Sequence, residues 1–157
     1  MKAFRKIRVY VRSFDFGVRT YQFCKLLPKG EMFGISSQLR RAVLSISTNI
    51  AEGSKAISQF DHANFLNISE KSTAEAQHLY QFCQALGYAP GAPYEQLLEE
   101  LGWIARMLHA YRVKVYAEAV RQEKMSRNRQ NASTLQRSNV STNSIPTPSA
   151  LPPAATA

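Results

Sequence analysis

Cysteine is scarce, and long apolar runs are missing. The two cysteines, Cys24 and Cys83, each sit in a helical apolar pattern, so they read as buried free thiols of a reducing cytoplasm, not as a disulfide framework. No stretch of about twenty apolar residues occurs, which argues against a transmembrane helix. Arginines interrupt every apolar run near the N-terminus, so no secretory signal is expected. The seven glycines stand apart, and none belongs to a phosphate-binding loop. Acidic residues are few, eleven against twenty Lys and Arg, for a net charge of +9. Such an excess favours acidic partners, nucleic acid first and an anionic membrane surface second.

Catalytic constellations are also lacking. His62, His78 and His109 share no metal-ligand spacing with one another or with the cysteines. There is no His-Glu-x-x-His and no Glu-x-x-His repeat of the di-iron bundles. The expectation is a non-enzymatic protein with no cofactor and no metal. His109, beside Leu108, reads as a half-buried or surface histidine.

The charge is uneven. Residues 1–31 carry eight basic and two acidic side chains, whereas residues 93–125 carry five of each. A localised excess argues for a patch over a uniformly basic coat.

Apolar periodicity predicts four helices. The first covers residues 4–27 and has two apolar stripes. Ile7, Tyr10, Val11, Phe14, Val18 and Tyr21 form one stripe, assigned to the core. Arg5, Arg8, Arg12 and Arg19 lie nearly opposite, with Val9, Phe16 and Phe23 beside them at intervals of seven. One stripe is enough for a bundle. The second has three explanations: an oligomer interface at Val9, Phe16 and Phe23, direct base stacking, or chance exposure. Pro28 and Gly30 break the chain.

The second helix runs from Glu31 or Met32 to Lys55. Ile35, Leu39, Val43, Ile46 and Ile50 mark its inner face, and small hydroxyl residues crowd the remainder, as on a surface that something approaches closely. Gly53 is read as its stop, through the left-handed conformation. Ser58 is a predicted N-cap for the third helix, whose inner face is Phe65, Ile68, Ser72, Ala76, Leu79, Cys83 and Leu86, ending at Gly87. Pro93 opens the fourth, with a seam of Leu97, Leu101, Ile104, Leu108, Tyr111 and Val115. From Ser126 the periodicity disappears into Ser, Asn, Thr, Gln, Pro and Ala. The sequence thus predicts an all-α, antiparallel up-down-up-down four-helix bundle over residues 1–125 and a disordered C-terminal tail over 126–157. Three arginines in the tail either add phosphate contacts or belong to an inert extension.

Pro28, Glu31, Phe33-Gly34, Gln38, Arg40-Arg41-Ala42, Ser45 and Asn49-Ile-Ala-Glu-Gly53 resemble the signature of the 23S rRNA-intervening sequence proteins, bacterial four-helix bundles. The resemblance covers most of residues 5–120. It implies a homo-oligomeric ring, a pentamer, and distant kinship with basic accessory proteins of diversity-generating retroelements that bind a reverse transcriptase and nucleic acid. Ser72 and Glu75 match a Gly-Ser-x-x-Glu element of the family's third helix, with Lys71 where its glycine is usual. The structural signature residues are Gln38, Asn49, Glu52 and Gly53. Asn49 and Glu52 are three apart on one helix; they either bond a neighbouring helix or close the turn after Gly53, or else contact RNA or a small molecule.

The basic residues carry the functional expectation. Lys2, Arg5, Lys6, Arg8, Arg12, Arg19, Arg40 and Arg41 are the predicted phosphate contacts. Arginine is also favoured at protein interfaces, so a scaffold whose arginines serve subunit contacts, without nucleic acid, is the alternative. Expected partners are further copies of the chain, RNA or another nucleic acid, and a reverse transcriptase, in the cytoplasm and away from membranes.

Overall fold

The computed structural model describes residues 3–88 and 91–142. A 3-10 turn at Ala3–Lys6 leads into α1 (Arg8–Cys24), and another at Lys29–Met32 precedes α2 (Ile35–Gly53). They are followed by α3 (Gln59–Ala85) and α4 (Ala92–Thr142). The chain divides into two compact units, Met1–Ala119 and Val120–Ala157.

Within the first unit the helices form an antiparallel bundle. Arg12 on α1 meets Glu100 on α4 at 2.8 Å, while Phe23 near the end of α1 packs on Tyr94 near the start of α4. On the next edge Ser45 and Ser72 of α2 and α3 meet at 2.8 Å, and Ser69 donates to the Ile46 carbonyl. Glu70 and Arg112 join α3 to α4. Ser58 caps α3 as its sequence predicts, accepting from the Asp61 amide at 3.0 Å.

The predicted faces of α2 and α4 hold. Leu39, Val43, Ile46 and Ile50 are fully buried, as are Leu101, Ile104 and Leu108. On α1 the two stripes are exchanged. Val9, Phe16 and Phe23, expected at an oligomer interface, lie in the chain's own core at 3%, 0% and 8% exposure. Most of the stripe assigned to the core is the outer one, with Val11, Phe14, Val18 and Tyr21 all exposed, while Ile7 and Tyr10 are partly buried against the core. Two hydroxyl residues explain the reversal. Ser13 and Thr20 lie on the inner stripe and make it look polar, but both are satisfied where they sit. Ser13 bonds back to the Val9 carbonyl and Thr20 bonds Tyr80 at 2.8 Å.

On α3 the inner face holds at Ser72, Ala76 and Cys83 and departs from the expected one elsewhere: Leu66 and Tyr80 are buried, whereas Ile68 and Leu86 are exposed. Gly53 does not take the left-handed conformation, which occurs at Gly87 and Gly91 among the described residues. It is needed for close approach instead: a Cβ there would stand 2.8 Å from the Phe65 Cβ. α3 is thus what comes near the hydroxyl-rich side of α2.

In the second unit the helical assignment passes the expected boundary at residue 126 and continues to Thr142. Residues 121–134 are exposed throughout, and Arg127 pairs with Glu123 one turn away at 2.6 Å. The remainder of the expected tail, 143–157, lies outside the described residues.

Candidate nucleic-acid interface

The predicted cations separate into two sets. Arg5, Lys6 and Arg8 are exposed and form no ion pair among the described residues. Their segment is fixed by aromatic packing: Phe4 in the 3-10 turn meets Tyr10 of α1 edge to face, ring centroids 4.8 Å apart. Ile7 has extended backbone between the two, so the three cations straddle a bend. Lys2 lies outside the described residues.

The other cations are engaged within the chain. Arg12 makes a two-pronged contact with Glu100, at 2.8 and 3.2 Å, and Arg19 reaches the same carboxylate at 4.0 Å. The hydrogen bond to Glu100 raises the Arg12 guanidinium above its ordinary pKa. On α2, Arg40 donates to the Ser36 and Met32 carbonyls at 3.1 and 3.3 Å. Arg41 donates to Gln38 at 2.8 Å and lies 3.7 Å from Glu75. The predicted cations thus differ in their surroundings: Arg5, Lys6 and Arg8 have no carboxylate partner among the described residues, whereas Arg12, Arg19, Arg40 and Arg41 each have a partner within the chain.

The signature residues sit on the α2–α3 side. Asn49 donates to the Ser45 carbonyl and hydroxyl at 2.8 and 3.0 Å, and Ser45 in turn meets Ser72. Gln38 accepts from Arg41, Glu52 is exposed, and Gly53 admits α3. Asn49 thus orders a serine pair across two helices; Asn49 and Glu52 make no shared site.

Two surfaces escaped the sequence reading. The outer stripe of α1 and the neighbouring side of α2 enclose an open groove of about 440 Å³ lined by Phe14, Val18, Tyr21, Val43 and Leu44, with Lys25 at its edge. Phe14, Val18, Tyr21 and Leu44 are 42–56% exposed, a contiguous apolar surface with no cover among the described residues. The signal was present in the two-striped α1, with its stripes assigned the wrong way round. The second is on α4, where Arg106 lies over the Trp103 ring, 4.3 Å from its centroid.

Cys24 and Cys83 are buried and free. Burial pushes the Cys24 thiol up to about 11 and raises Cys83 as well. Glu70 holds Arg112 at 2.8 Å and lies 3.3 Å from His109, whose side chain is largely exposed. His62, half-buried, meets the Tyr111 hydroxyl at 3.3 Å, and burial lowers its pKa. Among the described residues no three His, Cys, Asp or Glu side chains are placed to hold a metal ion, and no helix is long and apolar enough to cross a membrane.

Comparison with known proteins agrees with the fold. A family model described as 23S rRNA-intervening sequence protein matches residues 5–110. A crystal structure of a protein of unknown function from the S23 ribosomal protein family of Bacteroides thetaiotaomicron is similar at 29% identity and a TM-score of 0.62. The match covers 66% of this chain and 96% of that one. No curated protein matches.

Proposed function

The chain belongs to the 23S rRNA-intervening sequence protein family, and from that premise we propose a non-enzymatic, homo-oligomeric bundle that binds RNA or another nucleic acid through its phosphates. The observation that carries this reading is the exposed trio Arg5, Lys6 and Arg8, which have no carboxylate partner among the described residues. Cations already held by a carboxylate gain less from a phosphate, because the existing pair must first be given up. The trio is free of that cost.

The homo-oligomer rests on the apolar groove between α1 and α2. Its exposed side chains, Phe14, Val18, Tyr21 and Leu44, are of the kind that a second copy would cover. Symmetry then repeats the trio once per subunit, and several weak phosphate contacts act together through effective concentration. We take the assembly to be a pentamer in the cytoplasm, and its setting to be that of an accessory to a reverse transcriptase of a mobile or diversity-generating retroelement. A reverse-transcriptase gene beside this one would support that setting; a gene placed within a ribosomal RNA operon would favour the intervening-sequence setting instead.

The test is RNA binding against salt. With three cations per subunit engaged on a single strand, log K should fall against log salt with a slope of about −2 per subunit. Replacing Arg5, Lys6 and Arg8 together by Ala should remove most of that slope. Affinity that stays flat between low and moderate salt would overturn the reading. The alternative, a scaffold that does not bind nucleic acid, is favoured by the same groove together with the intrachain pairing of Arg12, Arg19 and Arg41. It expects a stable oligomer by light scattering whose mass is unchanged by RNA.

A further inference from the structure

The chain has one tryptophan, and it stands half exposed on α4. Trp103 follows Glu100 by three residues and precedes Met107 by four, so the three share one strip of the helix. Glu100 holds Arg12 of α1, and Met107 lines a shallow groove with Ile7 and Arg8. The strip carrying Trp103 therefore borders the opening half of α1, where the unpaired cations lie.

The surroundings decide what kind of ligand fits an indole there. Apart from Trp103, no large apolar side chain of α4 is exposed before Val113. A protein partner would need a contiguous apolar patch, which the α1–α2 groove offers and this strip does not. The ring has a guanidinium over it instead, from Arg106 at 4.3 Å. An aromatic ring with a stacked arginine, still 47% exposed, suits the flat face of a nucleobase. The charge along the face has a direction. Glu95 and Glu99 are exposed before Trp103, and Lys114 is exposed three turns after it on the same strip. A phosphate chain leaving the ring is repelled on the first side and attracted on the second, toward Arg8 and Lys6.

We propose that Trp103 is a stacking platform for an unpaired base of single-stranded nucleic acid, whose phosphates run from it toward the cations at the start of α1. This rests on the nucleic-acid reading above and adds the class of strand that the site accepts. A duplex keeps its base faces covered and gains only the phosphate contacts.

The single tryptophan is its own reporter. The full-length chain is titrated with a fluorescently labelled 12-nucleotide oligouridine and separately with a labelled 12-base-pair RNA duplex, following Trp103 emission and label anisotropy together. With oligouridine, the emission should be quenched along the same isotherm as the anisotropy rise; with the duplex, anisotropy should rise without quenching. Trp103→Ala should weaken oligouridine binding about tenfold, Trp103→Phe should weaken it less, and neither should change duplex binding. Both variants alter an exposed side chain, and circular dichroism checks that they fold. If oligouridine binds while emission stays constant and Trp103→Ala binds as well as the parent, stacking is excluded and the phosphate reading stands. If neither ligand raises the anisotropy, both fall. Emission that shifts with protein concentration alone, and not with oligouridine, assigns Trp103 to a contact between copies and overturns the proposal.

Discussion

The Thr20 and Tyr80 hydroxyls meet at 2.8 Å in the middle of the bundle, with both side chains fully buried. The bond ties α1 to α3 across the core, inside a cluster of Phe16, Phe23 and Tyr94 rings. The Tyr94 hydroxyl also donates to the Tyr80 carbonyl at 2.8 Å, so the start of α4 is fastened to the same residue. The two partners are not equivalent when one is removed. Thr20 is a helical threonine and can turn its hydroxyl to a carbonyl of its own helix; a buried phenol without Thr20 has no such recourse. Thr20→Val is expected to cost about 1–3 kcal/mol and Tyr80→Phe about 0.5–1.5 kcal/mol, with the double variant costing less than their sum. Urea unfolding at one fixed protein concentration measures all three, and strict additivity would contradict the coupling.

Gly53→Ala sets two effects against each other. Alanine favours a helix over glycine by about 1 kcal/mol. Its Cβ, however, would lie 2.8 Å from the Phe65 Cβ and 3.1 Å from His62 Cδ2. The first of these atoms is attached to backbone and cannot swing aside, so α2 and α3 must separate, at about 1–3 kcal/mol. The net expectation is a destabilised chain. Gly30→Ala is the control, because a Cβ there meets nothing within 4 Å; it should be neutral or slightly stabilising. Thermal unfolding of the two variants side by side decides between packing and propensity.

What the sequence revealed and what it hid follow one division. Where a helix has a single apolar stripe, period alone located the core, as at Leu39, Val43, Ile46 and Ile50 on α2 or Leu101, Ile104 and Leu108 on α4. Where two stripes compete, as on α1, the choice belongs to the partners. Glu100 draws Arg12 and Arg19 toward α4, and Tyr80 accommodates Thr20, so the stripe bordered by arginines turns inward. Those pairings span 60 to 88 residues of sequence, and no local window contains them. The same distance hid half of the candidate site. Arg12 and Arg19 read as free cations until Glu100 is placed beside them, whereas Arg5, Lys6 and Arg8 are exposed as well as basic. Gly53 was visible as a glycine that matters, but its reason is a neighbouring helix and not its own backbone.

Alkaline pH should unfold the protein from the inside. Burial raises the pKa of Cys24 and Cys83 above their ordinary 9.0, and of Tyr80, Tyr94 and Tyr111 above 10.0. The folded state thus keeps these protons where the unfolded chain would release them. Their contribution is complete below pH 9 and is lost as pH rises through 9 to 11 and beyond. The midpoint of thermal unfolding should therefore be steady up to about pH 8.5 and drop steadily above 9. At pH 8 the native thiols should react slowly with a disulfide reagent and quickly in urea, since burial keeps both protonated in the folded chain. Fast labelling of both thiols in the native protein would mean that they are not shielded.

Glu100→Gln tests how far the proposed phosphate-binding surface extends along α1. In the parent, one carboxylate neutralises Arg12 at 2.8 Å and draws in Arg19 at 4.0 Å. Glutamine keeps the size of the side chain and an acceptor oxygen, so Arg12 retains a hydrogen-bond partner while the local charge rises by one. Because the Arg12 side chain is still 43% exposed, water can solvate it, and the fold should survive with little change in its unfolding midpoint. Binding should change more. If strands follow α1 beyond Arg8, two arginines become available, RNA affinity at low salt increases, and the salt slope steepens by about 1 per subunit. If the surface ends at Arg8, affinity and slope stay as in the parent, and the bound strand must turn away from α1 before it reaches Arg12. Measuring the slope in Glu100→Gln, and again with Arg12→Ala added, separates these outcomes: the added substitution should remove about half of the gain in slope in the first case, Arg19 keeping the remainder, and change nothing in the second.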